Sequence, residues 1–224
     1  MKSPRSNNRE IEVSLLGTIH RRMYFFAQYI FAKIQFRTIL TLLPIVEDAF
    51  RHPWVAKVEL RVRFWPGRER LWPWNRCQAF PMHWDAPITI SVFRNRRGKR
   101  RQALCMSLYV IGDNLYIKQL QGVSQTNAPS ELRAWPKMFI EACRMFAKKR
   151  GFKTVRVPRS NSLYSYHNPG LNTDLLPDAR ERAVKRIRRD MEFLYDKNAL
   201  ELDFVPDGYW FKWINPKAAP CERE

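Results

Sequence analysis

The sequence predicts an α+β fold: a mixed, mainly antiparallel sheet with one parallel strand-helix-strand crossover, preceded by a helical N-terminal segment. Three observations predict it. Apolar runs at residues 58–64, 88–94, 102–110 and 115–123 read as strands, and the last three are joined by turns rich in Gly, Asn and Asp, the pattern of an antiparallel meander. Residues 136–151 carry a helical apolar period and are followed by a strand at 153–157. A strand returned to its sheet through a helix pairs in parallel. Residues 11–50 repeat apolar side chains at helical spacing. A chain of 224 residues holds one domain with a small extension. The expected organisation is a basic tail at 1–10, a helical segment at 11–53, an α/β domain at 54–214 and a closing tail at 215–224.

In the helical segment, two helices are expected, broken near Gly17 or at residues 38–41, and a short helix over 42–50 ends before His52-Pro53. Residues 23–36 are strongly apolar, but Lys33 and Arg37 cut the run short of the ~20 residues a membrane span requires. They read either as a buried helix or as an interfacial helix resting on anionic lipid through Arg21, Arg22, Lys33 and Arg37. The polar N-terminus carries no secretory pattern, and widely spaced cysteines with no disulfide framework make a cytoplasmic location the expectation, peripheral to the inner membrane under the interfacial reading.

Residues 58–64 alternate Val58, Leu60, Val62 and Phe64 with Glu59, Arg61 and Arg63, as a strand with one wet face does. The following connection, with Trp72, Trp74 and Trp84, either covers apolar surface or offers stacking faces. Residues 95–99 and 111–114 are expected as turns. In the helix after Pro136, Phe139, Ala142, Cys143, Phe146 and Ala147 form one stripe, Lys148, Lys149 and Arg150 suit the last turn, and Gly151 suits the cap. Residues 159–177 read as a polar loop. Asp178 and Glu181 form a capping box for a helix whose Val184, Ile187, Met191 and Leu194 face inward, and a strand at 209–214 follows a Pro206-Asp207-Gly208 turn.

Lys and Arg number 40 against 21 Asp and Glu, a net charge of +19. Such a field favours a polyanion: nucleic acid, an acidic carrier protein or anionic lipid. The cations concentrate twice. Arg94, Arg96, Arg97, Lys99, Arg100 and Arg101 surround the first turn, while Arg180, Arg182, Lys185, Arg186, Arg188 and Arg189 line the late helix. A hydrophobic content of 45% excludes general disorder. The 4 cysteines are widely spaced and no histidine stands at ligand spacing, so neither a disulfide framework nor a metal is expected.

The run from strand 115–123 into the helix at Pro136 is the strongest candidate site, because first-turn amides lack partners inside a helix and the dipole is positive there. Gln121, Gly122, Val123, Ser124, Gln125, Thr126 and Asn127 lead into it, with Arg133 and Lys137 adding charge and Asn161 expected from the loop beyond the crossover. His167 is a candidate general base, its ordinary pKa lying near neutrality. Tyr195 is a candidate proton donor. His20, His52 and His83 read as structural.

The element order, four strands, polar loop, helix, parallel strand, helix and final strand, resembles the GNAT acyltransferase superfamily. That resemblance implies that the chain after the fourth strand binds the pyrophosphate of an acyl-coenzyme A and that the fourth and fifth strands splay to admit its pantetheine arm. The superfamily loop is Arg/Gln-x-x-Gly-x-Gly/Ala, and residues 124–135 contain no glycine. With Asp203-Phe204 aligned to the Gly-Phe end of the last helix, the superfamily's tyrosine position falls on Ala199, one turn after Tyr195.

Ile117-Lys118-Gln119-Leu120-Gln121-Gly122, Leu132-Arg133, Pro136-Lys137, the run from Val157 to Asn161, His167, Tyr195-Asp196 and Asp207-Gly208 resemble the VirK/YbjX-type proteins of Gram-negative bacteria, which carry a GNAT-like domain behind a helical part. This implies a role at the cell envelope, around lipid or lipopolysaccharide. The leading expectation is an acyltransferase-like protein drawing on coenzyme A or an acyl carrier protein. The alternatives are a non-catalytic nucleic-acid-binding module and a peripheral binder of anionic membrane.

Overall fold

The computed structural model describes residues 33–62, 88–122, 128–167 and 177–218, together with helical positions 23, 27 and 30. The basic tail, the tryptophan-rich connection with Trp72, Trp74 and Trp84, Arg21 and Arg22 of the interfacial reading, and residues 219–224 lie outside them. The fold is α+β. Its sheet has seven strands in the order β1-β2-β3-β4-β5-β7-β6. These are β1 (Val55–Val62), β2 (Ile88–Arg96), β3 (Lys99–Ile111), β4 (Asn114–Gly122), β5 (Thr154–Pro158), β6 (Val205–Asp207) and β7 (Trp210–Ile214). Every pairing is antiparallel except β4 with β5. That exception follows from the crossover helix, as the residue pattern predicts.

The β2–β3 turn is shorter than the expected loop over 95–99. Asn95 pairs with Arg100 and Arg96 with Lys99, which leaves a two-residue turn, Arg97-Gly98. Both turn residues are left-handed, at φ 53° and 71°. Two positive φ values match the right-handed twist of the strands and let the hairpin close tightly. At the other end of the sheet, the expected Pro206-Asp207-Gly208 turn is partly strand: Pro206 and Asp207 belong to β6, and the turn is Gly208-Tyr209. Arg156 and Lys212 reach the Asp207 carboxylate, the first at 2.8 Å.

α1 (Leu43–Ala49) and α2 (Trp135–Arg150) cover one face of the sheet. On α2 the expected stripe is buried, with Phe139, Cys143, Phe146 and Ala147 at 0% exposure. Its end is closed by Gly151 at φ 76°. Asn215 is no loose tail: it is fully buried, and its side-chain amide donates to the carbonyls of Ala147 and Phe152. Ile39, Leu42, Val46 and Phe50 enter the same core, and Phe50 meets Phe139 at 4.6 Å between ring centres. Residues 33–40 are helical. From that helix, the Gln35 side chain takes both the N–H and the C=O of Val110 near the end of β3.

α3 (Pro177–Glu192) starts at the proline, so Asp178 stands in its first turn. The expected capping box does not form: Glu181 pairs forward with Lys185 at 2.7 Å, where the opposite charge lies one turn ahead. α3 then continues through a π turn, Phe193–Lys197, into Asn198–Leu200. The helix end turns through Asp203, left-handed at φ 61°. Among the described residues, no helix is long and apolar enough to cross a membrane.

Candidate functional site

β4 and β5 pair over only three positions, Asn114 with Thr154, Leu115 with Val155 and Tyr116 with Arg156. Beyond them β4 runs on to Gly122 and β5 to Pro158, unpaired with each other. The cause is local. On β4, Ile117 lies opposite Leu108 and Gln119 opposite Ser107, so Lys118 is an extra residue. A bulge bends its strand and increases its twist, and this one sits where β4 leaves β5. It also exchanges the two faces of β4: Leu115 and Ile117 point into the core before it, Leu120 after it.

The gap is spanned from α3. The Tyr195 hydroxyl accepts a hydrogen bond from the Leu120 N–H at 2.9 Å and donates one to the Leu120 carbonyl at 3.1 Å. Those are the two groups that a neighbouring strand would pair. The next residue, Asp196, takes the other wall: its carboxylate accepts from the Ser160 N–H at 2.8 Å and from its hydroxyl at 2.7 Å, immediately beyond β5. Both residues lie in the π turn. Such turns occur disproportionately at functional positions.

The candidate residues around this gap separate. Gly122 is a glycine for a packing reason: a Cβ there would lie 2.7 Å from the Trp135 ring and 2.8 Å from Leu104. Gln121 is half-buried, and its Oε1 has no partner among the described residues; nor has the Nε1 of Trp135, which is 1% exposed. Val123, Ser124, Gln125, Thr126 and Asn127 lie outside the described residues. Arg133 is exposed. Lys137 is paired with Glu201 at 3.1 Å, so its charge is partly balanced from within the chain.

His167 is exposed, and its Nε2 pairs with the backbone carbonyl of Asn161 at 2.7 Å. That bond joins it to its own loop, and Tyr195 is bonded to β4 instead. The neighbouring Tyr166 donates to Glu192 at 2.7 Å, a bond that raises its pKa above the usual tyrosine range. Arg188, expected on the solvated face of α3, folds over the Tyr166 ring and donates to the Tyr166 carbonyl at 3.2 Å. Arg182, Arg186 and Arg189 remain exposed.

Sequence reasoning passed over two features. One is the Asp196–Ser160 brace. The other is a buried polar row across the sheet: Thr89 bonds Ser107 at 2.9 Å and Gln102 bonds Ser91 at 2.9 Å. Its signal was available, because Thr89 and Ser91 alternate with Ile88, Ile90 and Val92 in a strand buried on both faces. Of the cysteines, Cys105 and Cys143 are buried thiols outside any disulfide, and burial pushes the Cys143 thiol far above its ordinary pKa. Among the described residues no cluster of His, Cys, Asp and Glu is arranged to hold a metal.

The cations of the β2–β3 hairpin stand together. Arg96, Arg97, Lys99, Arg100 and Arg101 are exposed, and Arg94 lies over the Trp54 ring at 5.2 Å. No protein-family model and no curated protein matches the chain.

Proposed function

We propose that the chain is an acyltransferase-like protein of GNAT architecture, taking an acyl group from coenzyme A or an acyl carrier protein to an amine or hydroxyl. One observation carries the reading: a strand order of β1-β2-β3-β4-β5-β7-β6 whose single parallel pair parts after three positions. In that superfamily the parted strands admit a pantetheine arm. In this chain the Leu120 N–H and C=O are the groups such an arm would engage, and Tyr195 holds both. Under this reading the donor edge is closed at rest. Tyr195 acts as its latch, a positioning residue that a ligand amide displaces by taking over the same two hydrogen bonds. Arg133 stands at the helix end to meet the donor's phosphates.

The test is titration of coenzyme A, its acyl thioesters and an acyl carrier protein against the wild-type chain and Tyr195→Phe. Removing the latch removes competition for Leu120, so the variant is expected to bind the thioester about tenfold more tightly, the equivalent of one hydrogen bond of about 1.4 kcal/mol. If neither protein binds any of these donors at low salt, the acyltransferase reading is lost.

A further inference from the structure

We propose that the β2–β3 ribbon binds duplex DNA, entering the major groove with the residues from Arg94 to Arg101. The ribbon leaves the sheet. Among the described residues, β1 pairs no further than Val55 with Arg94 and β4 no further than Gly122 with Leu104, so none of them forms a strand flanking the last pairs of the hairpin. The register shift between Val92 and Phe93, which leaves Ala103 unmatched, twists it away from its neighbours.

Its charges are arranged against its own stability. Arg94 stands directly opposite Arg101, and Arg96 opposite Lys99. Alternation along each strand places all four on one face, while Arg100 lies on the other. Like charges in directly opposed pairs repel. The chain also places an arginine, Arg97 at φ 53°, where a two-residue turn of this kind favours Asn or Gly. The repulsion is not relieved internally: Arg96, Arg97, Lys99, Arg100 and Arg101 form no ion pair among the described residues. An external anion of repeating charge would relieve it.

The composition of the tip selects the anion. It reads Arg-Asn-Arg-Arg-Gly-Lys-Arg-Arg, with no apolar side chain and no acid. Adsorption at a bilayer surface combines electrostatic attraction with buried apolar area, of which the tip supplies only the first, and protein interfaces are depleted of charge and enriched in aromatics at their centres, which the tip does not match. Nucleic-acid interfaces are polar, wet and strongly positive. A two-stranded ribbon fits the ~12 Å major groove of B-form DNA, where Arg and Asn are residue types that read base edges. The narrow major groove of an RNA duplex does not admit it.

The test measures binding of the full chain to short duplex DNA, single-stranded DNA, duplex RNA and phosphatidylglycerol vesicles over a salt series. The variant Arg96→Ala/Arg97→Ala/Lys99→Ala/Arg100→Ala is compared with Arg180→Ala/Arg182→Ala/Arg186→Ala/Arg189→Ala, which loses the same charge elsewhere. Duplex DNA is expected to bind most tightly. The ribbon variant should lose at least tenfold more affinity than the helix variant, with the slope of log affinity against log salt reduced by about 3 to 4, near 0.9 for each phosphate contact removed. Equal losses in the two variants, or tighter binding of RNA, single strands or vesicles, overturn the proposal. Should the ribbon variant fold poorly, tryptic cleavage of the wild-type chain decides. Bound duplex must protect Arg96, Arg97, Lys99 and Arg100 more than Arg182 and Arg186, and equal protection refutes it. Neither arm depends on coenzyme A binding.

Discussion

Tyr195 shows how far a single side chain can be read without its partner. Late on an amphipathic helix, it is legible from sequence as packing or as an acid, but its bonds go to Leu120, 75 positions away. Replacing it with Phe leaves a buried N–H and a buried carbonyl unpaired, each costing about 1–3 kcal/mol. Urea unfolding of Tyr195→Phe should show a loss of about 2 kcal/mol; a loss near zero would mean that water takes over both bonds. Gly122 was legible only as the start of a ligand-binding loop, whereas a Cβ there would meet Trp135 and Leu104. Gly122→Ala is expected to cost about 1–3 kcal/mol by overpacking, and Leu104→Ala in the same chain should give back part of it. Tyr166 supplies a pH signature. Its hydrogen bond to Glu192 raises the pKa above the ordinary 10.0, so the folded state holds that proton more tightly than the unfolded one. The stability this adds is fully present below pH 10.0 and is lost as pH rises through the folded pKa. The gap in melting temperature between wild type and Tyr166→Phe should therefore close above that pH.

At the scale of elements, legibility followed apolar periodicity. α2 and β5 were readable because their buried faces repeat at the period of their own structure, and the crossover dictated the parallel pair. The tip of the β2–β3 ribbon was read as a loop because charge gives no period: Asn95, Arg96, Lys99 and Arg100 are paired residues with no buried face. The three-residue β6 was hidden by Pro206 and Asp207, which read as turn formers. The Lys118 bulge, which opens the candidate site, leaves no mark in the sequence at all, since it exists only in the register against β3. Two left-handed positions held by charged residues give an element-scale prediction. Arg97→Asn puts the preferred residue into the tight turn, and Asp203→Gly does the same at the end of the long helix. Each should raise stability by about 0.5–1 kcal/mol, measured by denaturant midpoint. No gain at Arg97 would mean that the arginine already stabilises its own turn.

For the whole molecule the deciding quantity is the imbalance of 40 cations against 21 acids. The ion pairs that do form are mostly at the surface, such as Lys153 with Asp113 and Lys185 with Glu181, and exposed pairs contribute about 0–1 kcal/mol each. Salt weakens those attractions, but it also screens the mutual repulsion of the excess cations. The Debye length falls from about 30 Å at 0.01 M to about 8 Å at 0.15 M. At the lower ionic strength, cations on opposite sides of the sheet still repel one another, and at the higher one only near neighbours do. Repulsion has the larger number of pairs, so the melting temperature should rise with sodium chloride over this range. A short polyanion should achieve the same rise at a far lower concentration, because its charges arrive linked. The ribbon variant, with four clustered charges removed, among them the opposed pair Arg96 and Lys99, should start from a higher melting temperature at low salt and respond less to its addition. A melting temperature that instead falls as salt is added would show that attraction within surface ion pairs outweighs repulsion, and that the ribbon's charges cost the fold little when no partner is bound.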